Sequence, residues 1–94
     1  FMDILILAEL RNTPMSGYDV ISLIYRRFHF LPSAGSVYSL LYALERRELV
    51  KGMWNERKRL YMLAPKGEEI VEATLNLQGK IEDFMTKILA GHPL

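Results

Sequence analysis

The sequence has no cysteine. It can form no disulfide and no thiolate metal site, and a cysteine nucleophile is excluded. Histidine is almost as scarce: His29 and His92 stand at opposite parts of the chain. Two distant imidazoles are too few for a zinc or haem centre, so no metal and no cofactor is expected. The same shortage leaves no Ser-His-Asp set. No glycine-rich phosphate loop is present, and Glu68 and Glu69 are neighbours that point apart on a helix, so they make no acid–base pair. The expectation is a protein that is not an enzyme.

Long apolar runs are also missing. The longest uncharged stretch, Phe28 to Leu44, contains His29, Pro32, Gly35 and three serines. A membrane span needs about 20 mostly apolar residues. The run Ile4 to Ala8 is short, lies between Asp3 and Glu9, and has no basic start, so it does not read as an export signal. A cytoplasmic protein without membrane contact is expected. Charge of one sign is lacking too: the net charge is +1.

What is present is a globular composition. Of 94 residues, 50% are apolar and 24% charged, with six Gly and four Pro. That supports one small domain. The segment from Met2 to Arg11 reads as a helix with Ile4, Leu5, Leu7, Ala8 and Leu10 buried. Asn12-Thr13-Pro14 breaks it. Ser16-Gly17-Tyr18-Asp19 has the form of a capping box, which starts a second helix to about Arg27 with Val20, Ile21, Ile24 and Phe28 inward. Ser33 is placed to cap a third helix to about Glu48, in which Val37, Leu41, Leu44 and Glu48 fall on one stripe with Leu40 beside them. Its opposite face carries Gly35, Ser36, Ser39, Tyr42, Ala43 and Arg46.

The period then changes. Val50, Gly52 and Trp54 alternate with Lys51 and Met53, and Tyr61 and Leu63 alternate with Leu60 and Met62. Two short strands around the basic tip Asn55 to Arg59 are expected. An isolated hairpin is marginal in water, so it must lean on the helices, with Trp54 as its apolar cover. Pro65 suits the first turn of a last helix to about Ala90, stopped by Gly91 and Pro93. Its Ile70, Leu77, Ile81, Phe84 and Ile88 form a heptad-like seam suited to a second copy of the chain. The fold class is mainly α with a small β-hairpin. Residues 1–64 form one compact unit, and 65–94 a C-terminal dimerisation helix. His29 is expected as a partly buried connector, and His92 as part of the tail.

The +1 is a sum of unlike parts. Residues 26–66 carry nine basic and three acidic side chains, a net +6, between ends of −2 and −3. A local positive surface can therefore exist on a nearly neutral chain. Arg46 lies on the open face of the third helix, and Arg57, Lys58 and Arg59 at the hairpin tip. A helix in a major groove with a basic hairpin on the neighbouring backbone needs this distribution. Ser36, Ser39 and Tyr42 face outward to reach base edges. The capped start of the second helix, Ser16 to Tyr18, offers amides to a phosphate. Tyr38 stands beside the buried stripe, either as packing or at the groove edge.

The elements Ser16-Gly17-Tyr18-Asp19-Val20-Ile21, Ser33-Ala34-Gly35-Ser36-Val37-Tyr38-Ser39-Leu40-Leu41, Leu44-Glu45-Arg46-Arg47-Glu48-Leu49-Val50, Arg59-Leu60-Tyr61-Met62-Leu63 and Gly67 together resemble the PadR family. Members are winged helix-turn-helix repressors named for control of phenolic-acid decarboxylase genes. The resemblance spans about residues 4–70 and implies DNA contacts at Ser16, Tyr18, Ser33, Ser36, Tyr38, Ser39, Tyr42, Arg46, Arg57, Lys58 and Arg59. The short tail resembles the compact branch with a single C-terminal helix. This implies a homodimer on a pseudo-palindromic double-stranded DNA operator. Some members of that branch bind flat hydrophobic compounds between protomers, so a small hydrophobic effector is implied as well. The chain departs from the family pattern at Ser39 in place of Pro, Glu48 in place of Gly, Met62 in place of Tyr or Arg, and Ala64 in place of Thr. Two other readings of the same residues are a winged-helix module that binds an acidic protein, and a sensor for hydrophobic ligands.

Overall fold

A computed structural model describes residues 2–91. Its elements are α1 (Met2–Leu10), β1 (Met15–Ser16), α2 (Gly17–Phe28), α3 (Ala34–Arg46), β2 (Val50–Asn55), β3 (Lys58–Leu63) and α4 (Pro65–Leu89). This is a winged helix-turn-helix with a long terminal helix. His92 and Pro93, which bear on the tail and on the expected helix stop, lie outside the described residues.

The core is built from one face of each element. Ile6, Leu7 and Leu10 of α1 meet Val20, Leu23 and Ile24 of α2, Val37, Leu41 and Leu44 of α3, and Tyr61 and Val71 from the sheet and α4. Leu41 is fully buried, and removing such a side chain typically costs about 2–5 kcal/mol. Because this stripe faces inward, the opposite face of α3 must face solvent.

Burial departs from the sequence expectation in several places. Ile6 is fully buried, while Ile4, Leu5 and Ala8 are half-buried. An almost wholly apolar helix has no clear polar face, so the pattern alone did not single Ile6 out. Phe28 is 40% exposed, not inward. It is the last residue of α2, and His29 turns the chain away through a left-handed C-cap at φ 58°. His29 is exposed as a result, not half-buried.

The sheet has three strands, not two, in the order β1-β3-β2, all antiparallel. Met15 pairs with Tyr61 and Ser16 with Leu60. Two residues are too few to show a period, so this strand leaves no pattern in the sequence. It supplies the third strand that a bare hairpin lacks. In β2 and β3, Val50 opposes Leu63, Trp54 opposes Arg59 and Asn55 opposes Lys58, closed by the two-residue loop Glu56–Arg57 with Glu56 at φ 60°.

The third helix stops at Arg46, two residues before the expected end. Glu48 is not on the buried stripe: it is exposed, with φ 63°. Its amide donates to the Glu45 carbonyl, and Leu49 N–H donates to the Leu44 carbonyl. A left-handed residue here reverses the chain into β2, which is the physical reason the family pattern prefers glycine at this point. Ala64, where that pattern has Thr, caps α4 without a side-chain hydrogen bond.

Only Gly67 and Val71 of α4 are buried. The molecule measures 57 × 31 × 19 Å, and a 25-residue helix spans roughly 38 Å of that. Ion pairs join α1 and the turn after it to their neighbours: Arg11 Nε to Glu68 Oε1 at 3.0 Å, Arg11 Nη2 to Glu72 Oε1 at 3.2 Å, and Arg27 Nη2 to Glu9 Oε1 at 2.8 Å. Such pairs contribute little energy, but they occupy Arg11 and Arg27. No described helix is long and apolar enough to cross a membrane.

A non-glycine residue in the left-handed region costs roughly 1–2 kcal/mol, partly offset by the greater unfolded-state entropy of glycine. Glu48→Gly should therefore stabilise the fold by up to about 1 kcal/mol, measured as a rise in urea midpoint at unchanged slope. A lower midpoint would show that Glu48 is not strained.

Candidate nucleic-acid interface

The outward face of α3, the start of α2 and the wing β2–β3 enclose one open cleft of about 860 Å³. It is lined by Ser16, Tyr18, Tyr38, Tyr42, Glu45, Arg46, Trp54, Arg57, Lys58, Arg59 and Tyr61. Eight of these are residues the sequence marked for DNA contact. A shallower groove continues along α3 past Gly35, Tyr38, Ser39, Tyr42, Ala43 and Arg46. Tyr38, Ser39, Tyr42 and Arg46 thus form one exposed ridge.

Ser33 and Ser36 are not brought to that cleft. Ser33 caps α3: its hydroxyl accepts from Ser36 N–H at 3.1 Å and donates to Ser36 Oγ at 2.8 Å. Ser36 sits by a different hollow, with Met2, Ile24, Phe30 and Leu40. Both hydroxyls are engaged at the start of the helix.

Ser16 does two jobs. It pairs in β1 and caps α2, accepting from Asp19 N–H at 3.1 Å, while Ser16 N–H donates to Asp19 Oδ2 at 2.9 Å. Both halves of the expected capping box are present. Ser16 is 4% exposed, so it positions the cleft floor, whereas Tyr18 beside it is 71% exposed. The Tyr38 ring lies against Gly17, where a Cβ would overlap it. Glycine there lets α3 approach the first turn of α2 closely.

The wing differs from expectation in its aromatic. Trp54 is 66% exposed and lines the cleft, so it is not apolar cover. The strand register explains this: Trp54 stands one pair from the Glu56–Arg57 turn, near the tip of the wing and far from the Val50–Leu63 end that packs on the core. Opposite it, Arg59 lies over the Trp54 and Tyr61 rings, 5.5 and 5.7 Å from their centroids, and pairs with Glu45 of α3 at 2.6 Å. Glu45 carried no signal in the sequence as part of the site; only its i, i+1 neighbourhood with Arg46 could have suggested it. Arg46, Arg57 and Lys58 have no ion-pair partner among the described residues.

No group of three or more described His, Asp or Glu side chains is arranged to hold a metal ion. The cleft presents exposed cations, hydroxyls and aromatic faces set on helices and strands.

The profile of the transcriptional regulator PadR-like family matches residues 6–73. The chain belongs to that family. Among solved structures it is similar to a PadR family regulator from Clostridium difficile R20291, at 24% identity and a TM-score of 0.77, over 94% of this chain and 97% of that one. A PadR-like regulator from Bacillus cereus ATCC 14579 matches at 21% identity and TM-score 0.76, over 93% and 89%. Bacillus subtilis PadR, solved in complex with operator DNA, matches at 22% identity and TM-score 0.68, over 78% of this chain and 45% of that one. At these identities the likeness is one of fold. No curated protein matches the sequence.

Two of the PadR-like motif residues set a pH dependence. The Asp19 carboxyl lies below its ordinary value of 3.8, chiefly because Ser16 N–H donates to it; burial opposes this, while the Ser16 hydroxyl and the charge of Lys58 add to it. A lowered folded value means stability that is complete above the ordinary value and lost as pH falls through the folded one. The urea midpoint of the parent chain should exceed that of Asp19→Asn at neutral pH, and the gap should close below about pH 3.8. A gap independent of pH would exclude this role. Ser16→Ala should cost about 0.5–2 kcal/mol through the same cap.

Proposed function

We propose that the protein is a sequence-specific, double-stranded DNA-binding regulator that acts as a homodimer and represses transcription. The observation that carries this reading is the cleft. The open face of α3 and the unpaired cations Arg46, Arg57 and Lys58 converge on one side of the molecule. In this reading α3 enters the major groove, with Ser39 and Tyr42 toward base edges. Arg46 and the wing tip meet phosphates on either side. Family membership supports it, as does the operator complex of the Bacillus subtilis relative, whose fold is shared.

The dimer rests on α4. Leu77, Ile81, Phe84 and Ile88 are 47–59% exposed along one stripe, widened by Leu75, Met85 and Leu89. Ile70, at the near end of the expected seam, rests against the chain's own core. An apolar stripe of this length on a projecting helix needs a partner, and a second α4 offers the matching one. Two-fold symmetry then sets two α3 helices at half-sites about 34–36 Å apart or a multiple of that.

Fluorescence anisotropy with mixed genomic duplex at low salt should show binding. About six phosphate contacts would give a log–log salt slope near −5. Replacing Arg57 and Lys58 together by Ala should flatten it by about 1.8. No binding to any duplex would end the DNA-binding reading. A selected duplex should be preferred over bulk DNA by roughly 10³ or more; equal affinity would point to a protein-interaction module. Phe84→Asp should convert the dimer to monomer by light scattering. A parent chain that is monomeric at tens of micromolar would remove the dimer.

A further inference from the structure

Arg59 stands among the wing cations in the sequence, but its surroundings set it apart. It faces Trp54 directly across the β2–β3 ladder, so both side chains project from the same face of the wing. The guanidinium lies over the Trp54 and Tyr61 rings, and Nη2 reaches Glu45 Oε2 at 2.6 Å. The side chains of Arg59 and Glu45 are only 30% and 31% exposed. The strand leaves room for this: at Gly52 a Cβ would overlap the guanidinium. Glycine in a strand interior commonly marks such a close approach.

We propose that Arg59 is a positioning residue, not a phosphate ligand. It fixes the wing against α3 and cancels the Glu45 carboxylate inside the cleft. This rests on the DNA-binding reading above. To meet a phosphate, Arg59 would have to leave Glu45. That would bare a carboxylate in the space a phosphate enters, and give up two aromatic faces. Arg46 and Arg57 have no such attachments among the described residues, and Lys58 has only a longer-range attraction to Asp19, with no ion pair and no ring beneath it, so these three are left to face DNA. The single carboxylate in the cleft then has a use. It holds a wing side chain from the helix that reads the groove, so that the spacing between α3 and the wing tip is set before DNA arrives. A planar fork stacked on rings and paired with a carboxylate also explains why arginine, and not lysine, occupies this position.

The test is a charge-neutral cycle in the full chain. Arg59→Gln alone should weaken duplex binding about five- to tenfold, because Glu45 is left unpaired. Adding Glu45→Gln should recover most of that loss. The double variant should also keep the parent salt slope, since no phosphate contact is removed. A slope flatter by about 0.9 in the double variant would make Arg59 a phosphate ligand and overturn the proposal. Independent, additive effects of the two changes would overturn it equally. The free protein gives a readout that does not need DNA. Trp54 is the sole tryptophan, and Glu45→Gln, by releasing Arg59, should shift its emission as Arg59→Gln does. An unmoved emission in Glu45→Gln would sink the clamp. If the parent chain binds no duplex while Trp54 responds to both variants, the DNA-binding reading fails and the clamp stands.

Discussion

Met15 and Ser16 join the sheet to the helices, and the rest of the site depends on that junction. Pairing with Tyr61 and Leu60 ties the wing to the chain segment just ahead of α2. The same Ser16 then closes the capping box with Asp19 and fixes where α2 begins. Both uses satisfy backbone groups that a helix end or a strand edge would leave open. The junction is nearly dry, with Met15 and Ser16 6% and 4% exposed. The hydrogen bonds therefore act where water competes least. Through them, the first turn of α2, the ridge of α3 and the wing hold one relative position.

Once that frame is set, the charge pattern acquires a direction. Arg27, of the basic middle, is drawn into a pair with Glu9, and Arg11, ahead of it, into pairs with Glu68 and Glu72; none of these residues lines the cleft. Arg59 is drawn to Glu45. The basic middle of the sequence is thus divided between cations that hold elements together and cations left facing the cleft. The net charge of the segment overstates how much of it is free for a polyanion. What counts for such a partner is the sign and position of the unpaired groups.

Much of the fold is legible from local pattern. The stripe Val37-Leu41-Leu44, the Ser16–Asp19 and Ser33 caps, the period-two strands and Pro65 at the start of α4 each carry a short-range signal with a known physical cause. The failures have causes too. Strand β1 is too short to have a period. Ile6 sits in a helix without a polar face. Phe28 lies one residue ahead of a left-handed cap, where the helical spacing no longer says which way a side chain points. Glu48 falls on the α3 stripe only if that spacing is carried two residues past the end of the helix at Arg46. The candidate site was legible as a set of exposed residue types. Its membership was legible in part: eight of the marked residues line the cleft, while Ser33 and Ser36 turn to capping, Trp54 faces the cleft, and Glu45 joins it.

By itself the sequence determined which segments coil, which extend, and that no disulfide, thiolate or membrane-spanning helix takes part. Those are properties of residue type and near-neighbour spacing, and they need no knowledge of what lies across the fold. Only the tertiary structure decided which cations stay free, because an ion pair depends on residues such as Arg59 and Glu45, 14 positions apart, being brought together. It also decided that the far end of α4 stays uncovered. A helix face is apolar by its sequence, but whether it is covered depends on what packs against it, and the core of this chain reaches α4 only at its first turns, at Gly67, Ile70 and Val71.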